Sequence, residues 1–201
     1  CLFYEPGYYF SNPIKFLYVW EGGLASHGGA IGILIGLYIY AKKIDKPYIW
    51  ILDRIVVPVA IGGAFIRTGN LMNSEIYGQP TDLPWGFKFV RDYPIGTPIE
   101  NIPACHPTQI YEALFCVAVF IYLIYAYYKQ NMAERRPGFM FGIFLIVVFG
   151  SRIMIEFIKN HQVAFEDNMV LDMGQWLSIP FLLAGIYFVV RSFLKTEKLK
   201  N

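Results

Sequence analysis

Arg67 to Gly78 reads R-x-x-N-x-x-N-x-E-x-x-G and closes a long apolar run. A guanidinium, two amides and a carboxylate therefore gather where a membrane helix ends. Arg152 and Glu156 stand four apart on a second apolar run, so they share a helix face and can partly neutralise one another. A charged side chain near a bilayer centre costs about 2.5 to 3.5 kcal/mol on insertion scales. Two arginines at one depth suit a phosphate, because the planar fork binds its oxygens bidentately. His27, followed by Gly28-Gly29, is the group from Gly22 to Ala41 that titrates near neutrality, and it can take a proton. Gly32 and Gly36 continue a small-residue face that lets a backbone or lipid approach.

Each of these residues also has an ordinary structural explanation. Arg152 and Glu156 can simply orient a helix, and Asn70 or Asn73 can cap one. His27 can be a satisfied hydrogen-bonding group, and Gly78 is expected to stop the helix with positive φ. Arg67, Asn70 and Ser74 form one stripe if the helix continues outward. In His106-Pro107-Thr108-Gln109-Ile110-Tyr111-Glu112, Thr108 is an expected N-cap, and Glu112 falls in the first turn, where the helix dipole favours it. Glu112 is also placed to pair with one of the arginines.

The elements that must position these groups are membrane helices. Hydrophobic residues make up 56% of the 201 and charged ones only 16%, too apolar for a soluble domain of this size. Five segments are long enough to cross a hydrocarbon core, which takes about 20 helical residues. They are Gly22 to Ala41, Ile49 to Ile66, Thr108 to Tyr128, Gly138 to Ile158 and Met173 to Val190. Lys42, Lys43 and Lys46 follow the first, Lys129, Arg135 and Arg136 the third, and Arg191, Lys195, Lys198 and Lys200 the fifth. Basic residues favour cytoplasmic ends, so His27, Arg67, His106, Arg152 and Glu156 are all expected at the outer face.

The predicted fold is an all-α polytopic membrane protein with a small extracytoplasmic cap of turns and short strands. Residues 1–21 form an interfacial arm, and 22–78 hold two spans and the Arg67 motif. Residues 79–107 form the cap, 108–192 three further spans, and 193–201 a cytoplasmic tail. The cap segment holds six of the chain's 12 prolines and cannot be one helix. Trp85 to Val90 alternates like a short strand, and Tyr93-Pro94-Ile95-Gly96 reads as a turn.

The net charge of +2 is accounted for by loop lysines and arginines, so no nucleic-acid partner is expected. Cys1, Cys105 and Cys116 lack C-x-x-C spacing, and the three histidines lack ligand spacing, so no metal or cofactor is implied. Cys105 is left either free or paired. His161, Glu166 and Asp167 read as a solvated outer loop. The chain begins at Cys1 and reads as N-terminally truncated.

Together with Gly174-Gln175-Trp176-Leu177-Ser178, these motifs resemble, in order and spacing, the bacterial prolipoprotein diacylglyceryl transferases. The resemblance implies a monomeric inner-membrane enzyme with seven spans, of which this chain holds the last five. Such an enzyme moves the diacylglyceryl group of phosphatidylglycerol onto the thiol of a preprotein's lipobox cysteine. It implies catalytic roles for His27, Arg67 and Arg152, and substrate binding by Arg67, Asn70, Asn73, Glu75, Gly78, Glu112 and Glu156, with Glu156 orienting Arg152. Ile66, Leu71 and Val148 depart from the family's usual Gly, Phe and Tyr. The rival is a transporter or channel with an outer anion site, which requires polar residues at successive depths; Asp53 and Arg54 lie near the inner end with nothing linking them to the outer cluster.

Overall fold

The computed structural model describes residues 26–159 and 171–197. The expectations for the arm at 1–21, for His161, Glu166 and Asp167, and for Lys198 and Lys200 fall outside the described residues. Among the described residues there are six α-helices: α1 (Ser26–Lys43), α2 (Tyr48–Asn73), α3 (Thr108–Tyr128), the single turn α4 (Met132–Arg135), α5 (Phe139–Glu156) and α6 (Met173–Glu197). Four stretches are long and apolar enough to cross a membrane: α2, α3, α5 and Gly174–Leu194 of α6. They match four of the five expected spans, and α1 coincides with most of the remaining one.

The chain divides after Ile51 into two compact units. In the first, α1 ends in Lys42 and Lys43, where cations suit the negative end of the helix dipole. Tyr48 follows a turn through Asp45 and donates from its hydroxyl to the Leu34 carbonyl at 3.0 Å. Its ring meets Tyr38 edge-on.

In the second unit the helices run alternately up and down. Their core joins Val56 and Ala60 of α2 to Val119 and Leu123 of α3, Ala133 of α4, and Phe139 and Met140 of α5. Helices α5 and α6 cross where Gly142 and Gly185 face each other: a Cβ on Gly142 would lie 2.8 Å from the Gly185 carbonyl, and one on Gly185 2.9 Å from the Gly142 carbonyl. Small residues at such crossings let membrane helices gain van der Waals contact, since lipid supplies no hydrophobic drive between them. Large apolar side chains on the other faces stay exposed, among them Leu114, Ile121, Leu183 and Ile186. Hydrocarbon is a suitable solvent for those faces.

Asp53, fully buried within α2, ties the basic ends together. Its carboxylate accepts from the amide of Gly138 at 2.6 Å and of Phe141 at 2.9 Å, capping α5 from a different helix. Gly138 adopts φ 95°, a conformation open to glycine at little cost. Asp53→Ala leaves those amides without a carboxylate and is expected to lower stability by about 1–2 kcal/mol. Thermal unfolding in detergent measures it, and an unchanged midpoint would refute the capping role.

The cap differs from expectation. The strand foreseen at Trp85 to Val90 is reduced to an isolated bridge between Phe87 and Cys105, and Val90–Asp92 is a 3-10 turn. Pro84 lacks an amide donor, and the chain reverses too soon for a ladder to extend. The turn is present one residue on: Thr97 donates its amide to Pro94, with Gly96 at φ 94°. Cys105 is a buried free thiol, pushed above its ordinary pKa by burial. Tyr77 stacks on Phe89 and hydrogen-bonds Asp92, and burial, followed by that carboxylate, pushes its phenol up as well.

Candidate functional site

Helix α2 does not stop at Ile66 but runs to Asn73, so Arg67 and Asn70 share a helical face. Ser74 then turns out of the helix at φ 59°, and Ile76 follows at φ 57°. This breaks the stripe expected to reach Ser74. The turn folds Glu75 back, and its carboxylate accepts from the Asn70 amide nitrogen at 3.0 Å. Asn73, the last helical residue, is exposed and makes no side-chain hydrogen bond among the described residues.

The start of α3 docks on that same turn. Thr108 does not cap its own helix; its hydroxyl donates to the Ile76 carbonyl at 2.9 Å. Gln109, fully buried, donates from Nε2 to the Glu75 carbonyl at 2.6 Å. Both side chains serve the neighbouring segment because a turn with two residues in the left-handed region leaves its carbonyls without helical partners. The buried oxygens Asn70 Oδ1, Gln109 Oε1 and Glu112 Oε2 receive no hydrogen bond among the described residues. Trp85 Nε1 donates to the Tyr111 hydroxyl at 2.9 Å, and His106 Nδ1 lies 3.3 Å from that hydroxyl, so the His106 to Glu112 motif also anchors the cap.

Gly78 is required for a different reason from the one foreseen. Its φ is not positive; instead a Cβ there would lie 2.5 Å from the Ile158 carbonyl and 2.8 Å from His106 Cβ and Thr108 Cγ2. Gly78 donates its amide to His106, and Gln79 donates its own to Ile158. The close approach brings the end of α5 against the start of α3.

That junction assembles a line of charges. Glu112, one helical turn into α3, meets Arg67 Nε at 2.7 Å and accepts from Lys159 Nζ at 2.8 Å. Lys159 Nζ also lies 3.4 Å from Glu156. Lys159 and Glu112 are 3% and 6% exposed, so water screens this network little. The pairing of Glu112 with an arginine is as foreseen, and the partner is Arg67. The pairing of Glu156 with Arg152 is not formed: Glu156 turns to Lys159, and Arg152 Nε is buried without a hydrogen-bond partner among the described residues.

Glu156 rests on the first turn of α6. A Cβ on Gly174 would come within 2.6 Å of Glu156 Cδ, which explains the glycine of the Gly174 to Ser178 motif. The N-terminal end of a helix dipole favours the carboxylate there. Gln175 donates to the Ile153 carbonyl at 3.2 Å, tying α6 to α5, while Ser178 donates to the Gly174 carbonyl at 2.5 Å within α6.

Lys159 is the residue that sequence reasoning missed. Its signal was present, since position 159 lies seven residues after Arg152 and three after Glu156. Its ion pair with Glu112, however, joins residues 47 apart in the chain. Beside Arg67 lies an apolar groove of about 140 Å³ between α2 and α3, lined by Leu71, Gln109, Ala113, Leu114 and Val117. A cation at an apolar groove can hold an amphiphile with an anionic head. His27 lies in α1, within the first unit, and its side chain is outside the described residues.

Comparison with known proteins gives a match to the prolipoprotein diacylglyceryl transferase family over residues 1–191. Among similar relatives, a phosphatidylglycerol–prolipoprotein diacylglyceryl transferase from Porphyromonas gingivalis is 49% identical across 95% of this chain and 70% of its own length. Relatives with the same description from Tolumonas auensis, at 43%, and Chloroherpeton thalassium, at 41%, match over 95% and 98% of this chain and 70% of their own lengths.

Proposed function

The chain belongs to the prolipoprotein diacylglyceryl transferase family, and from that membership we propose that it transfers the diacylglyceryl group of phosphatidylglycerol to the lipobox cysteine of prolipoproteins. The thiol sulfur attacks the glyceryl carbon, the carbon–oxygen bond to phosphate breaks, and glycerol phosphate leaves. The attacking thiol comes with the substrate, so the enzyme needs a base, a phosphate clamp and exclusion of water rather than a nucleophile of its own.

His27 takes the thiol proton. Arg67 and Arg152 bind the phosphate and stabilise the charge that develops on it as it departs. Asn70, Asn73 and Glu75 hold the glycerol head group, Gly78 lets the backbone close around it, Glu112 holds Arg67 and Lys159 in place, and Glu156 holds Lys159. An acyl chain lies in the groove beside Arg67. The enzyme acts as a monomer in the bacterial inner membrane, with five spans in this chain and with the cap and the arginines on the extracytoplasmic side. The basic residues that end α1, α3 and α6 support that orientation.

The single observation that carries this reading is the line Arg67–Glu112–Lys159–Glu156, with Arg152 one turn away and its Nε unpaired among the described residues. A buried unpaired donor costs about 1–3 kcal/mol, and a bound phosphate oxygen would remove that cost. The transporter reading gains no support from the relatives. Asp53, the polar group it needs near the opposite end, is engaged in capping α5.

The test incubates the full-length protein with phosphatidylglycerol and a lipobox peptide and weighs the peptide by mass spectrometry. A diacylglyceryl adduct on the cysteine is expected, and its absence with folded protein rejects the reading. In the same assay His27→Asn is expected to flatten the rise of rate through the imidazole range; an unchanged pH profile assigns the proton to another group.

A further inference from the structure

We propose that Lys159 is a positioning residue that holds Glu112 and Glu156 away from full pairing with the two arginines, so that both guanidinium groups remain available to the lipid phosphate. The inference rests on the transfer reaction proposed above.

The charges alternate along the junction: Arg67, Glu112, Lys159, Glu156 and Arg152 give three cations and two carboxylates, a net of +1. Without Lys159 the same groups sum to zero, each arginine having one carboxylate within reach. Glu112 already touches Arg67, and Glu156 stands one turn from Arg152 at a spacing that favours pairing. In a site shielded from water each arginine would then close on its carboxylate in the bidentate geometry that guanidinium prefers.

The observed contacts show how Lys159 prevents this. Its ammonium sits 2.8 Å from Glu112 Oε1, while Arg67 Nε lies 2.7 Å from Oε2 in an ion contact without hydrogen-bond geometry. It draws Glu156 toward the start of α6, and Arg152 Nε stays without a hydrogen-bond partner among the described residues. Burial at 3% exposure is costly for an ammonium unless its neighbours are anionic, and here two carboxylates flank it. Lys159 is also placed by the backbone, through an isolated bridge with Gly78. The glycine of the Arg67 motif thus sets the position of the residue that keeps Arg67 available.

The test is steady-state kinetics of full-length protein with phosphatidylglycerol and lipobox peptide varied separately. Lys159→Met is expected to raise KM for phosphatidylglycerol by about tenfold or more, with KM for the peptide unchanged. Lys159→Arg, which keeps the charge, is expected to stay nearer wild type. The double variant Glu156→Gln with Lys159→Met leaves no uncompensated carboxylate at 156. It is expected to fold even where Lys159→Met does not, and to recover the share of lipid affinity that depends on Arg152, while Glu112 still closes on Arg67. An unchanged lipid KM in Lys159→Met, an equal rise for both substrates, or a folded double variant as defective as the single one would overturn the proposal. Wild-type protein that forms no adduct removes the transfer reading and this inference together, whereas a normal wild type beside an unaffected Lys159→Met removes only the latter.

Discussion

Arg67→Ala in the full-length protein is expected to lower diacylglyceryl transfer by about 10³-fold, to the floor of a mass-spectrometric assay. Removing a single preorganised donor from a developing oxyanion costs about 10²–10³ in rate, and Arg67 brings a full charge as well. Arg67→Lys is expected to fail nearly as badly, because an ammonium is a point charge without the planar fork. The protein should remain folded: Glu112 keeps its 2.8 Å contact with Lys159, and the Arg67 side chain is 22% exposed. A folded Arg67→Ala protein that turns over at the wild-type rate removes Arg67 from the mechanism.

Glu112→Ala is expected to act on stability first. Its carboxylate is the close partner of two cations, and one of them, Lys159, is nearly inaccessible to water. Removing one partner of a buried ion pair leaves an uncompensated charge, at a cost of about 3–5 kcal/mol. Glu156, at 3.4 Å, recovers part of the loss. Chemical unfolding in detergent micelles measures the change, and a loss below about 1 kcal/mol would show that Lys159 reaches water or another anion. Glu112→Ala therefore contrasts with Arg67→Ala: the first is expected to lose the fold and activity together, the second activity alone.

The apolar runs that become α2, α3, α5 and α6 are legible in the chain, because a hydrocarbon solvent demands about 20 apolar helical residues per crossing and composition reports that directly. The gathering of Arg67, Glu112, Arg152 and Glu156 at one end follows from alternating helix direction. Helix spacing alone suggested that Arg152 and Glu156 pair. Spacing describes a helix in isolation, whereas Glu156 is pulled sideways by Lys159 and seated on Gly174 of another helix. The same limit hid the roles of Thr108 and Gly78. A threonine before an apolar run looks like a cap until a neighbouring turn offers it an unpaired carbonyl. A glycine after a helix looks like a stop until the Ile158 carbonyl is found where its Cβ would be.

Amino-acid order alone determined the membrane class, the helices, the end at which the polar residues collect and the motifs shared with the family, since these depend on local composition and periodicity. Tertiary structure decided which carboxylate meets which cation, why Gly78 and Gly174 carry no side chain, and that Lys159 belongs to the site. Those outcomes depend on separations of a few ångströms between residues up to 80 positions apart, from Gly78 to Ile158, where Coulomb attraction and steric exclusion act through space and leave no mark on the local pattern.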